Sequence, residues 1–370
     1  MNAGGISTLL HQFPYQFHGV QVLATIGFVI DLTLYVIFSL IFMLHFALYR
    51  RRALAELTSN VAELCLMPTW AIAFMTLTSF VSLTVSNASW AHDHGLGWTY
   101  LAVAMWWIAT VWMFGMLFFC FVTLVRQHSL LDGQIPTLII IPAVGVATLA
   151  LVGAVVVNFS YGITADLAVP IIITSFCAAG VGLILGLILY TYLFHQLLAY
   201  GWPAAAQTPT IFILVGPMGQ TAAALILLGS ASTKHFAEYN RGTFLTSSTA
   251  APMEVACQLL ALLMTGLGAI WLILSLTAMV DRAWHRELKW TPAWNAIIFP
   301  TGTLVTATLL FGELMDSPFF RVITAILTLF LVIVFFINSF FTLWKIARGE
   351  LLVVREDPRV KKALEEKRNA

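Results

Sequence analysis

Charge is what this chain has least of. Asp, Glu, Lys and Arg make up 9% of its 370 residues, the signs nearly cancel to a net charge of +1, and 60% of the residues are hydrophobic, with a mean hydropathy of +0.91. A near-neutral balance excludes a nucleic-acid partner, which calls for a basic surface. So apolar a composition excludes a water-soluble domain of this size. Cysteine is equally sparse: Cys65, Cys120, Cys177 and Cys257 all lie within apolar segments, the pattern of small buried hydrophobes and not of a disulfide framework or a metal site. No apolar stretch holds a histidine cluster, paired acids or a nucleophile with its base, which argues against an integral-membrane enzyme. Neither a cofactor nor a metal is expected, and His92, Asp93 and His94 read as a solvated loop. Met1 is followed by a Gly-rich stretch and not by a basic region, so no cleavable signal peptide is expected.

Central proline is absent from five long apolar segments, 20–49, 98–125, 167–195, 253–280 and 319–344. Each is long enough to cross a bilayer, which takes about 20 residues. Proline occurs only near their starts (Pro170) or just before them (Pro252, Pro318), where a missing N–H costs little. The shorter segments between them do carry breakers: 64–85 with Pro68, 136–158 with Pro142 and Gly145, 209–229 with Gly216, Pro217 and Gly219, and 294–312 with Pro300 and Gly302. Residues 1–15, with Gly4 and Gly5, read as the tail of a fifth such segment. Broken and intact segments thus alternate five times, an internal repeat of helical hairpins. The expected fold is all-α and integral to the membrane: ten transmembrane helices as five hairpins, with five kinked inner helices around a central pore and five straight outer ones. Residues 1–345 form this single pore domain, its first helix truncated, and 346–370 form a charged cytoplasmic tail.

Lys and Arg set the orientation. With the N-terminus inside, fifteen of the eighteen basic residues fall in the cytoplasm, among them Arg50–Arg52, Arg126, Arg282, Arg286 and Lys289; only Lys234, Arg241 and Arg321 fall outside. Both termini are then cytoplasmic. Two sequons, at Asn87 and Asn158, fall in outer loops close to the membrane. Residues 50–64 are amphipathic and are expected on the cytoplasmic surface.

A proline within a helix frees a carbonyl, and backbone of that kind survives in a membrane only against protein or a water-filled cavity. The breaks are therefore expected at mid-span, facing one axis, with helix N-termini turned toward it to attract anions. The lining offered by the broken segments is neutral and weakly polar: Ser7, Thr8, Thr76, Gln220, Thr221, Thr301 and Thr303. Such a wall suits ions that must both enter and leave. Asp31 is a lone acid within a straight helix, read first as a structural partner of a nearby Ser or Thr and second as a proton carrier. Glu313 and Asp316 lie at the outer end of the ninth helix, and Asp316, Ser317 and Pro318 read as the start of the tenth.

Two stretches, "ILVGPMGQTAAALILLG" and "WTPAWNAIIFPTGTLVTATLLFGELMDSPFFRV", resemble the seventh and ninth helices of the tellurite-resistance/dicarboxylate transporter family, which is related to plant slow anion channels. "GPMGQ" and "MNAGGISTLLHQFPY" resemble most closely its fungal branch of sulfite efflux pumps and malic acid transport proteins. The similarity covers nearly the whole chain. It implies ten helices, five kinked inner ones around a central pore in each subunit, a homo-oligomer (trimer or dimer) with separate pores, and a phenylalanine gate on the ninth helix, here Phe299. Met1 falls where the family is already inside its first helix, and 64–85 keeps a proline without the pattern of the sulfite pumps. The pore and kink residues carried forward are Gly4, Gly5, Pro68, Pro142, Gly216, Pro217, Gly219, Gln220, Pro300, Thr301 and Gly302. The expected function is transport of small anions across a plasma membrane, most of all efflux of sulfite or bisulfite. Malate or another C4-dicarboxylate, with or without proton coupling, and general anion conduction are the alternatives. The expected partners are these anions and the lipid bilayer.

Overall fold

The structure, a computed structural model, describes residues 1–93, 95–127 and 135–351. It is built from helices: α1 (Asn2–His11), α2 (Val20–Ser59), α3 (Val61–Leu66), α4 (Pro68–Phe80), the short α5 (Ser89–His92), α6 (Gly97–Gln127), α7 (Ile141–Phe159), α8 (Ala165–Tyr200), α9 (Val215–Tyr239), α10 (Ser247–Trp284), α11 (Ile298–Leu314) and α12 (Pro318–Ala347). Among the described residues nine helical segments are long and apolar enough to cross a membrane, counting α3 and α4 as one. The ten-residue α1 is not one of them.

Burial alternates along the chain. The most apolar stretches of the segments with breakers (Val61–Val85, Thr137–Phe159, Thr208–Tyr239, Pro292–Leu314) are 67%, 94%, 100% and 78% buried, whereas those of α2, α6, α8, α10 and α12 are 6%, 39%, 39%, 33% and 22% buried. The broken segments are thus inside and the straight ones outside. Contacts close the inner set into a ring, because α1 packs on α4, α4 on α7, α7 on α9, α9 on α11, and α11 back on α1. Each inner element also packs on an outer helix that follows it, as α7 does on α8 and α9 on α10.

Lipid offers no hydrophobic incentive for helices to associate, so close van der Waals contact between small residues must do that work. The stretch Gly216–Ala224 of α9 supplies it. A Cβ at Gly219 would stand 2.4 Å from the backbone nitrogen of Leu304 on α11, so only glycine allows this approach. Thr303 then ties the two helices, its hydroxyl lying 3.2 Å from the carbonyl of Gly216.

The breaks do not fall at mid-span. Residues 137–140, 208–214 and 292–297 are 3-10 turns that lead directly into α7, α9 and α11, and Pro142, Pro217 and Pro300 stand in the first turns of those α-helices. Proline is tolerated there because its missing N–H has no partner to lose. The tighter 3-10 winding carries the chain into the helix. Pro68 likewise opens α4. Pro252, by contrast, lies inside α10, which begins at Ser247.

The chain at 50–64 is not one surface helix. Tyr49 has non-helical backbone angles, φ −125° and ψ 30°, which separate the membrane part of α2 from 50–59. Asn60 then starts α3, its Oδ1 accepting the N–H groups of Ala62 and Glu63 at 3.0 and 3.4 Å. Residues from Val61 onward therefore belong to the inner layer. Of the charged tail, 352–370 lies outside the described residues, as does His94.

Candidate functional site

The ring of inner elements lines a narrow cavity that reaches solvent. All five contribute polar side chains to its wall: Thr8 from α1, Thr76 and Ser79 from α4, Thr148 from α7, Gln220 from α9, and Thr303 and Thr306 from α11. Apart from Phe299 and the amide of Gln12 the rest of the wall is aliphatic or glycine, and among the described residues no Lys, Arg, His, Asp or Glu lines it.

Phe299 is the second residue of α11. Its ring lies on the wall and is 8% exposed. A Cβ built on Gly5 would stand 3.5 Å from its Cδ2, an ordinary contact distance, which places this turn of α1 beside the ring. The ring and the first inner helix thus meet although they lie at opposite ends of the sequence.

The residues expected at the pore divide into two groups. Gly5, Gln220, Phe299 and Gly302 are on the cavity wall. Gly4, Gly216, Pro217 and Gly219 face neighbouring helices: Gly4 is against Asp31, Gly216 against Pro300 and Val144, Pro217 against Gly186, and Gly219 against Leu304. Pro68, Pro142, Pro300 and Thr301 are buried off the wall. Ser7 and Thr221 are also off it, Ser7 bonding the carbonyl of Ala3 at 2.8 Å. The polar wall residues that sequence reasoning missed are Gln12, Ser79, Thr148 and Thr306. A signal for two of them exists: Thr148 and Thr306 each stand six residues after the proline that opens their helix, as Gln220 and Thr303 each stand three after theirs.

Asp31 lies just behind the wall. It is 2% exposed, Thr76 donates its hydroxyl to Oδ2 at 3.1 Å, and the Met1 ammonium meets Oδ1 at 2.6 Å. The acid is therefore held by a threonine of the cavity wall, and a buried carboxylate requires such partners.

At one end of the cavity, Asn158 donates Nδ2 to the carbonyls of Ala154 and Leu227, both at 2.8 Å. Its Oδ1 accepts from Lys234 Nζ at 3.1 Å. Asn87 donates Nδ2 to the carbonyl of Phe159 at 2.7 Å. Both sequon amides are thus committed to tertiary bonds and are poorly placed to carry a glycan.

The cysteines are all free. Cys65, Cys120 and Cys257 are buried, but Cys177 is on the exposed face of α8. An apolar segment of an outer helix has an apolar outer surface, so lying within one does not imply burial. The described residues contain no group of three or more His, Cys, Asp or Glu able to hold a metal.

An all-helical chain with this many long apolar segments, ringed about a neutral cavity, is a multi-pass membrane protein of the transport class. It belongs to the voltage-dependent anion channel family (SLAC1), whose family model matches residues 1–343. Among curated proteins it is similar to the sulfite efflux pump SSU1 of Trichophyton rubrum, 23% identical over 95% of this chain and 90% of that one. It is also similar to the "Putative malic acid transport protein" of Schizosaccharomyces pombe, 23% identical over 96% of this chain and 80% of that one. An uncharacterised transporter of Methanocaldococcus jannaschii is 23% identical over 76% of this chain and 72% of its own length.

Proposed function

We propose that the chain moves small oxyanions across the plasma membrane through the central cavity, with sulfite or bisulfite efflux as its main activity and Phe299 as the gate. The observation that carries this reading is the wall itself: neutral, rich in hydroxyls, drawn from all five inner elements and interrupted by one aromatic ring. An apolar constriction on such a path blocks ions by excluding water. An orientation of the membrane-crossing helices that leaves the end of α12 in the cytoplasm puts fifteen of the eighteen Lys and Arg on the inner side, as the charge rule for membrane loops favours. With no cation on the wall, attraction of anions falls to the first turns of the inner helices and to Lys and Arg at the mouths. A homo-oligomer with one path per subunit completes the reading.

The name of the fission-yeast relative favours malate as the second substrate. The experiment is flux into proteoliposomes with sulfite, malate, nitrate and chloride compared at equal concentration. Sulfite flux above that of protein-free vesicles and above the other three supports the proposal. Malate in first place moves the assignment to the second reading, and no flux of any anion defeats both.

A further inference from the structure

We propose that Gln220 selects among permeant anions by accepting a hydrogen bond from them, so that the path favours anions carrying their own hydroxyl, such as hydrogensulfite or a half-protonated dicarboxylate, over anions that have none. The proposal rests on the reading of the cavity as the conduction path and adds the chemical class of its substrate.

Gln220 is 1% exposed and lies on the cavity wall. Its Nε2 donates to Thr148 Oγ1 at 3.0 Å. The orientation of the amide follows from Thr148, whose hydroxyl donates its one proton to the carbonyl of Val144 at 2.9 Å. With that proton committed, Oγ1 can only accept, so the nitrogen of Gln220 faces it and the carbonyl oxygen points elsewhere. Oε1 is buried and meets no hydrogen-bond donor among the described residues. A buried acceptor left unpaired is costly, and a ligand that brings a donor removes that cost.

The other wall hydroxyls lean the same way. Thr8 donates to Gly4 O at 3.0 Å, Thr303 to Pro300 O at 2.7 Å and Thr306 to Gly302 O at 3.1 Å. Thr76 is held by Asp31 and by Ala73 O. Each proton has a protein acceptor, on its own helix, on Asp31 or, for Thr303, also on Gly216 of α9, so these side chains present lone pairs to the cavity. The wall's donors that have no acceptor among the described residues are few, namely the second N–H of Gln220, the Ser79 hydroxyl and the Gln12 amide. A bare anion entering here loses water and meets mostly lone pairs. A hydroxylated monoanion donates a hydrogen bond from its O–H to Gln220 Oε1 while its charged oxygens take the few donors. A dianion fares worse than either, because its dehydration costs more and the wall holds no cation to offset it.

The test uses the full chain in proteoliposomes, with initial fluxes of hydrogensulfite and nitrate measured at acidic pH and protein-free vesicles subtracted. Wild-type protein should favour hydrogensulfite by about tenfold, the factor expected of one hydrogen bond to a charged species. Gln220→Met, similar in length and without the amide, takes one donor from both ions but the acceptor from hydrogensulfite alone, so the ratio of hydrogensulfite to nitrate flux should fall toward one. The wild type supplies a second measurement that does not depend on the variant folding. At fixed total sulfite, flux should fall as rising pH converts hydrogensulfite to the dianion, while nitrate flux stays level. Level nitrate flux also separates loss of the substrate's proton from a general effect of pH on the path. A wild type that passes nitrate as fast as hydrogensulfite, a folded Gln220→Met with an unchanged ratio, or flux that rises with the dianion would each overturn the proposal. Absence of flux for either ion defeats the conduction reading beneath it, which is a different result.

Discussion

Replacing Phe299 by alanine separates a gate from a core residue, because the two roles predict opposite results. Phe299 is 8% exposed, a value that suits either role, and its ring lies beside Gly5 of α1. If the ring were packed in a dry core, removing it would leave an unfilled void and cost roughly 3–5 kcal/mol of stability, with no effect on transport. On the wall of a cavity that reaches solvent, the space is taken by water instead, and the loss of stability should stay below about 1 kcal/mol by comparison with that core cost. The same water removes the dry constriction. A gain in anion flux of about tenfold corresponds to ~1.4 kcal/mol off the barrier, a modest demand on a lost apolar ring. The assay is sulfite flux into proteoliposomes, or whole-cell current, beside the thermal midpoint of the purified protein in detergent. Raised flux with a near-native midpoint is the expected outcome. An unchanged flux with a lowered midpoint would refute the gate and return Phe299 to the core.

Gly219→Val should destabilise the fold by roughly 1–3 kcal/mol or prevent assembly, since even a Cβ meets the Leu304 nitrogen at 2.4 Å; detergent thermal shift and yield of monodisperse protein measure it. Thr76→Val removes the hydroxyl donated to the buried Asp31 carboxylate and should cost roughly 1–3 kcal/mol, read as a lowered thermal midpoint. Substituting Arg50, Arg51 and Arg126 by Gln should lower flux modestly at low salt and flatten its dependence on ionic strength, because exposed charges act through a screened field. A salt profile identical to the wild type would show that these residues do not steer anions.

The alternation of intact and broken apolar segments was legible along the chain because hydropathy and the effects of proline and glycine are local. Those two signals alone sort α2, α6, α8, α10 and α12 to the outside and the segments holding Pro68, Pro142, Pro217 and Pro300 to the inside, as their burial bears out. Family membership was legible for the same reason, since "GPMGQTAAA" and "IIFPTG" are contiguous. The position of each proline relative to its helix start was not. Whether a chain winds as 3-10 or α before a proline depends on the neighbours that take up its free carbonyls, and those belong to other segments. The cavity wall was less legible still. A threonine three or six residues beyond a proline can face the axis or a neighbouring helix, and rotation about the helix axis decides between them. Packing sets that rotation, through contacts such as Gly219 on Leu304. Tertiary structure alone brought Gln220 to Thr148, Asp31 to Thr76 and Phe299 to Gly5. Each pair joins different inner or outer elements, and no one-dimensional pattern encodes how far two helices are turned toward each other.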